Sequence, residues 1–151
     1  MKDVFKPEFV KMELEATTRE EVLRELVDLL PVGDDKKELI YQRLLERENL
    51  GTTGIGKGIA IPHSRTLALK DVFVIVGRSK KGVDFNALDG KPVHLFFLIV
   101  APPYDPKNRY LITLGKIAEI SRELTRKKEW MEIEKKEEFV KFLNGLLREK
   151  K

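Results

Sequence analysis

His63 follows Pro62 at the end of a short apolar run, Ile59-Ala60-Ile61, and that run leaves a segment of glycine and threonine, Gly51-Thr52-Thr53-Gly54-Ile55-Gly56-Lys57-Gly58. An imidazole titrates near neutrality, so at cellular pH much of it is an unprotonated nucleophile. Glycines beside it let backbone N–H groups approach an anion closely. The pattern points to a histidine that meets a phosphate. The chain has 2 histidines in all, which makes the placement of this one more telling. The other, His94, falls early in the apolar run Val93 to Ala101, on the face opposite Val93, Leu95 and Phe97, and reads as a strand-end histidine.

Other chemistries fit less well. Gly51 is followed five positions later by Gly56-Lys57, as in a phosphate-binding P-loop, but Gly58 stands where that loop needs the hydroxyl that holds Mg²⁺. The context is also reversed, because this glycine segment follows a helical stretch and opens a strand. The dinucleotide fingerprint fails as well, since Ile59 stands where its third glycine belongs. One histidine without clustered carboxylates is no metal-ligand set, and with Cys 0 neither a thiolate site nor a disulfide is possible. No metal or cofactor is expected. The net charge of +4 arises from 29 basic residues interleaved with 25 acidic ones, not from the basic face of a nucleic-acid binder. No stretch reaches the roughly 18 apolar residues of a membrane span, and the opening Met1-Lys2-Asp3-Val4-Phe5-Lys6 lacks a signal-peptide core, so a cytoplasmic protein is expected.

The elements that must position His63 follow from periodicity. Val10, Met12 and Leu14 alternate with charged residues as in a half-buried strand. Thr17 or Thr18 caps a helix with Glu20 and Glu21 in its first turn and Val22, Leu23, Leu26, Val27 and Leu30 inside, ended by Pro31-Val32-Gly33. Asp35 and Glu38 form a capping box for a second helix, with Leu39, Ile40, Leu44 and Leu45 inside, fading near Glu48. Three strands follow: Ile59 to Ile61, stopped by Pro62; Val72 to Val76; and Val93 to Ala101. The last two lack polar alternation, as in a sheet covered on both faces. Asp105-Pro106 opens a helix with Leu111, Leu114, Ile117 and Ala118 on one face. A final helix places Phe139, Phe142, Leu143, Leu146 and Leu147 at core spacing, while Trp130 and Ile133 read as core and Lys135 to Glu138 as a solvated face. The expectation is a single α/β domain over residues 1–151, a mixed β-sheet flanked by helices on both faces.

Taken with its flanks, Arg47-Glu48-x-Leu50-Gly51-Thr52-Thr53-Gly54-Ile55-Gly56-x-Gly58-Ile59-Ala60-Ile61-Pro62-His63 resembles the signature of type-2 enzyme IIA domains of the bacterial phosphoenolpyruvate-dependent sugar phosphotransferase system. This is the fructose/mannitol type, which includes the nitrogen-regulatory enzyme IIA. The resemblance continues through Phe85-x-Ala87-Leu88-Asp89-Gly90-x-Pro92-Val93 and Tyr110-Leu111-x-x-Leu114-x-x-Ile117-Ala118, so it spans roughly Val4 to Leu147. It implies the phosphotransferase/anion-transport-like fold. It also implies that His63 accepts a phosphoryl group from the carrier HPr and passes it to a IIB component of a sugar permease, with Arg47 stabilising the phosphohistidine. Backbone N–H groups around Gly54 and a hydroxyl of Thr52 or Thr53 are then expected to support the phosphate.

The chain departs from the family at two positions. Where type-2 members usually carry a second histidine, this chain has Tyr110, preceded by Arg109, so any charge support there would come from Arg109. Ser64 replaces the commonest glycine after the acceptor. Two functions compete on this basis: a sugar-transport phosphocarrier, and a nitrogen-type regulatory module whose phosphorylation controls which protein partner it binds. The glycine segment leans toward the second branch.

Overall fold

A run that is apolar at every position has to be covered on both faces, and the other elements are arranged to do so. The structure, a computed structural model, describes residues 3–149; Met1, Lys2, Lys150 and Lys151, which the domain expectation included, lie outside the described residues. In chain order the elements are β1 (Val10–Lys11), α1 (Arg19–Val27), α2 (Asp34–Leu50), β2 (Gly54–Gly56), β3 (Ile59–Ala60), β4 (His63–Arg65), β5 (Phe73–Val83), β6 (Val93–Ala101), α3 (Arg109–Arg126) and α4 (Lys136–Glu149). The strands form one mixed sheet in the order β1-β5-β6-β3-β2, with β4 also paired to β6. Strands β5 and β6 are antiparallel, as are β2 and β3, while β1 runs parallel to β5 and both β3 and β4 run parallel to β6.

Alternate residues of β6 enter two separate cores. Leu95, Phe97, Ile99 and Ala101 pack with Tyr110, Ile117, Ile120 and Leu124 of α3 and with Phe139 and Leu143 of α4. Phe96, Leu98 and Val100 pack with Val22 and Leu26 of α1 and Ile40 and Leu44 of α2. Val93 belongs to this second core, one step out of phase with Leu95, because the N–H groups of His94 and Leu95 both donate to the Gly58 carbonyl, at 2.8 and 3.0 Å. One extra residue is thereby inserted, and Val93 does not share the face of Leu95 and Phe97 as alternation predicts.

The central correction concerns the strand before His63. Ile59 and Ala60 lie opposite Leu95 and Phe96, and His63, Ser64 and Arg65 lie opposite Ile99, Val100 and Ala101, so the register is continuous across Pro62. Pro62 has no N–H to give to the ladder and opens a gap, yet its carbonyl still accepts from Ile99 N at 2.9 Å. The strand is interrupted there and resumes at the histidine.

Helix ends differ from expectation in ways that side-chain partners explain. Thr18 caps α1 in a reciprocal box with Glu21, and the helix stops at Val27, leaving Leu30 buried in a turn. Helix α2 starts from Gly33 with no side-chain cap, so Asp35 and Glu38 make no box; Glu38 pairs with Arg24 instead, and exposed Leu39 yields its inner place to Tyr41. Helix α3 starts after Asn108, whose φ of 53° is left-handed, and the Asp105 carboxylate accepts the Tyr110 N–H at 2.8 Å. Its inner face is Tyr110, Ile117, Ile120 and Leu124, while Leu111 and Ala118 are exposed. Trp130 is core, as expected, with its indole N–H on the Leu124 carbonyl at 2.7 Å.

Candidate functional site

The continuous register puts Ile59, Ile61, His63 and Arg65 on one face of the interrupted strand, the face covered by α3. The first two are buried; His63 and Arg65 are half-buried at its open end. His63 Nδ1 lies 2.7 Å from the Ile61 carbonyl oxygen. A carbonyl can only accept, so in the neutral ring Nδ1 carries the proton and Nε2 keeps the lone pair. This supplies the tautomer partner that the residue pattern left unnamed. Among the described residues no group of three or more His, Cys, Asp or Glu could hold a metal ion.

The glycine segment is a hairpin rather than an open loop. Gly54 pairs with Ala60 and Gly56 with Ile59 around a turn at Lys57-Gly58, where Gly56, Lys57 and Gly58 all have positive φ. Its polar groups are committed to the scaffold. Thr52 Oγ1 donates to the Phe85 carbonyl at 2.8 Å and accepts the Gly54 N–H at 3.0 Å. Thr53 donates both its N–H and its hydroxyl to the Glu48 carboxylate, and its carbonyl accepts from Ile61 N. Gly54 sits so close to Ala87 that a Cβ would come within 2.9 Å of its backbone. Thr52, Thr53 and Gly54 therefore build the floor that holds Ile61 and His63, in place of the free donors the sequence suggested. Glu48, 3 % exposed, anchors this floor, and its burial pushes the carboxyl above its usual range against the pull of its Thr53 hydrogen bonds and the charges of Arg47 and Arg19.

Two guanidinium groups converge on the histidine's surroundings. Arg47, in the last turn of α2, donates Nη1–H to the Gly51 carbonyl at 2.6 Å, which leaves other donors of its fork uncommitted. Arg65 lies with its guanidinium carbon 4.5 Å from the centre of the Tyr110 ring, and the His63 ring centre lies 6.3 Å from the same ring. Burial raises the Tyr110 phenol above its usual range, and the positive charges of Arg65 and Arg47 oppose that shift. At neutral pH the ring is uncharged. Arg109 does not join this group: it pairs with Asp71 at 3.7 Å, and both are exposed. Successive helical residues point about 100° apart, so Tyr110 and Arg109 cannot both face His63. Arg65 was missed because a strand ended at Pro62 gives no alternation beyond it. The signal that could have found it is its i+2 spacing from His63.

His94 shows what the second histidine does. Its Nδ1 lies 2.9 Å from the Ser79 carbonyl, and its ring fills the space between two glycine turns. A Cβ at Gly82 would come within 2.8 Å of the ring, and one at Gly58 within 3.6 Å.

Comparison with known proteins gives the same picture throughout. A family model described as "Phosphoenolpyruvate-dependent sugar phosphotransferase system, EIIA 2" matches residues 3–145. The chain is 32 % identical over 137 residues to a fructose-specific EIIABC component from Bacillus subtilis, of which it spans only 21 %. It is 33 % identical over 122 residues to a nitrogen regulatory protein from Bradyrhizobium diazoefficiens, covering 80 % of this chain and 79 % of that one. Its structure superposes on the nitrogen regulatory protein IIA-Ntr of Neisseria meningitidis with a TM-score of 0.81 at 26 % identity, over 95 % and 96 % of the two chains.

Proposed function

The chain belongs to the EIIA 2 family of the phosphoenolpyruvate-dependent sugar phosphotransferase system, and from that premise we propose that it is a histidine phosphocarrier with His63 as acceptor. The observation that carries this reading is the setting of His63, half-buried beside the Tyr110 ring that feels both Arg65 and Arg47, with Nδ1 on the Ile61 carbonyl so that Nε2 is left as the nucleophile. In the reaction, the bond from phosphorus to Nε2 forms as the phosphorus–nitrogen bond on phospho-HPr breaks. The electron pair leaves with the donor nitrogen, which takes up a proton. The Ile61 carbonyl keeps the Nδ1 proton and offsets the positive charge the ring gains. Arg47 turns its free donors to the phosphoryl oxygens, and Thr52, Thr53 and Gly54 support the phosphate indirectly by holding the strand.

The group then passes to a IIB component of a sugar permease, in keeping with a relative whose name joins A, B and C parts in one component. A regulatory output from the same first step is favoured by the match to IIA-Ntr along nearly the full length of both chains: phosphorylation of His63 would decide which protein partner binds. Both routes put the chain in the cytoplasm, and among the described residues no helix is long and apolar enough to cross a membrane. The test is intact-mass spectrometry after incubation with phosphoenolpyruvate, enzyme I and HPr. One acid-labile phosphate, absent from His63→Ala, is expected; an adduct of equal yield in that variant would remove the assignment.

A further inference from the structure

Arg65 lies two residues beyond His63 on β4, so the two side chains leave the same face from Cα atoms about 6.5 Å apart. Three things hold its guanidinium in place: the Tyr110 ring at 4.5 Å, and the Pro102 and Pro103 carbonyls, each 3.4 Å from Nη1. The first is a cation–π distance, and the other two are long contacts with neutral acceptors. Among the described residues no carboxylate pairs with it, in contrast to Arg19, Arg24, Arg43, Arg109, Arg126 and Arg148. A half-buried guanidinium held flat and left unpaired is set up to receive an anion. His63, two residues back on the same strand face, has its ring centre 6.3 Å from the same tyrosine.

We propose that Arg65, with Tyr110 as its platform, is a second phosphoryl-binding cation of this site and shares with Arg47 the oxygens of the group carried on His63 Nε2. The inference rests on the reading of His63 as acceptor. It gives Tyr110 a purpose at the position where an imidazole is usual: the ring carries no charge itself and holds a neighbour that does. A guanidinium, unlike an imidazole, is a permanent cation. In the transfer step Arg65 holds oxygens and exchanges no proton. The phosphorus–nitrogen bond to the donor breaks as the bond to Nε2 forms, and the donor nitrogen leaves with the electron pair and is protonated.

The experiment compares loading of His63 from two donors: phosphoramidate, too small to need a docking surface, and phospho-HPr. Intact mass follows the acid-labile adduct in the wild type, Arg65→Gln, Arg65→Lys, Tyr110→Leu and Tyr110→Phe, with circular dichroism to establish folding. Loss of a charge-assisted contact in Arg65→Gln is expected to slow loading from both donors about tenfold. Arg65→Lys keeps the charge without the planar fork and should recover part of the rate. Tyr110→Leu removes the platform and should fall toward the Arg65→Gln rate, with Tyr110→Phe faster than Tyr110→Leu. If Arg65→Gln slows with phospho-HPr alone, Arg65 is a docking contact and the inference is overturned. Wild-type rates from both donors overturn it too, while leaving His63 as acceptor intact. A wild-type protein that neither donor loads at His63 removes the acceptor reading, and this inference with it.

Discussion

The two histidines have the same local hydrogen bond and opposite surroundings. Each places Nδ1 against a backbone carbonyl, His63 at 2.7 Å from Ile61 and His94 at 2.9 Å from Ser79, so each neutral ring keeps its lone pair on Nε2. His94 spends its ring filling the gap between Gly58 and Gly82 at one end of β6. His63, near the other end of β6, faces the tyrosine on which Arg65 lies and whose phenol also feels Arg47. A fixed tautomer is therefore not what sets the proposed acceptor apart from His94. What differs is the pair of guanidinium groups around the Tyr110 ring that His63 faces, neither of them paired with a carboxylate among the described residues.

The largest expected effect breaks the comparison outright: His63→Ala loses the acid-labile adduct, while His94→Ala is loaded at the wild-type rate and shows its cost in thermal stability. An adduct that vanishes in His94→Ala and persists in His63→Ala would reverse the two roles. Next, Arg47→Gln is expected to slow loading about 10- to 100-fold, the range for losing a hydrogen bond to a charged group; stopped-flow or quenched mass measurements read it directly. At the other end of the sheet, Gly82→Ala meets the His94 ring at 2.8 Å and forces a side chain onto a φ of 84°. Urea unfolding should show a loss of about 1–3 kcal/mol. Adding His94→Ala should return only the part due to the clash.

The smallest effect tests the floor beneath His63. Because burial raises the Glu48 carboxyl in the folded state, the stability tied to its protonated form is present below the ordinary value of 4.5 and is lost as pH rises through the folded value. Glu48→Gln can accept the Thr53 N–H and donate to the Thr53 hydroxyl. Its melting temperature should therefore gain on the wild type as pH rises from about 4.5 to neutrality. A constant difference across that window would mean that Glu48 ionises in the folded chain as it does in the unfolded one.

How much of this was legible in the sequence depended on how many residues carried each signal. The run Val93 to Ala101 became β6 with its bounds intact, because a run of nine residues in which all but His94 are apolar leaves one solution. The three-residue strands Gly54–Gly56 and His63–Arg65 carry no period of their own and exist because a neighbour offers each a ladder, β3 for the first and β6 for the second. The sequence marks Glu48 only as the place where the second helix fades, and the fold of the glycine hairpin back over it is what brings Thr53 to its carboxylate. Arg109 was placed by its neighbour in the chain, whereas helical geometry sends it toward Asp71. His63 stood out by its residue type and its glycine-rich flank, Arg47 entered through the family resemblance, and Arg65 came to light only once Pro62 proved to be a gap in the strand and not its end.

That gap also bears on how the molecule could report its own state. His63 is borne on a strand in register with the buried centre of the sheet, from Ile59 opposite Leu95 to Arg65 opposite Ala101, with no loop on which to swing. A phosphoryl group arriving there, as proposed, would meet a backbone held by the β6 ladder. What would change is the local charge: a group of about −2 arrives as the ring turns cationic, so beside the two guanidinium groups the spot loses about one unit of positive charge. A partner would then read an electrical message on an unaltered shape.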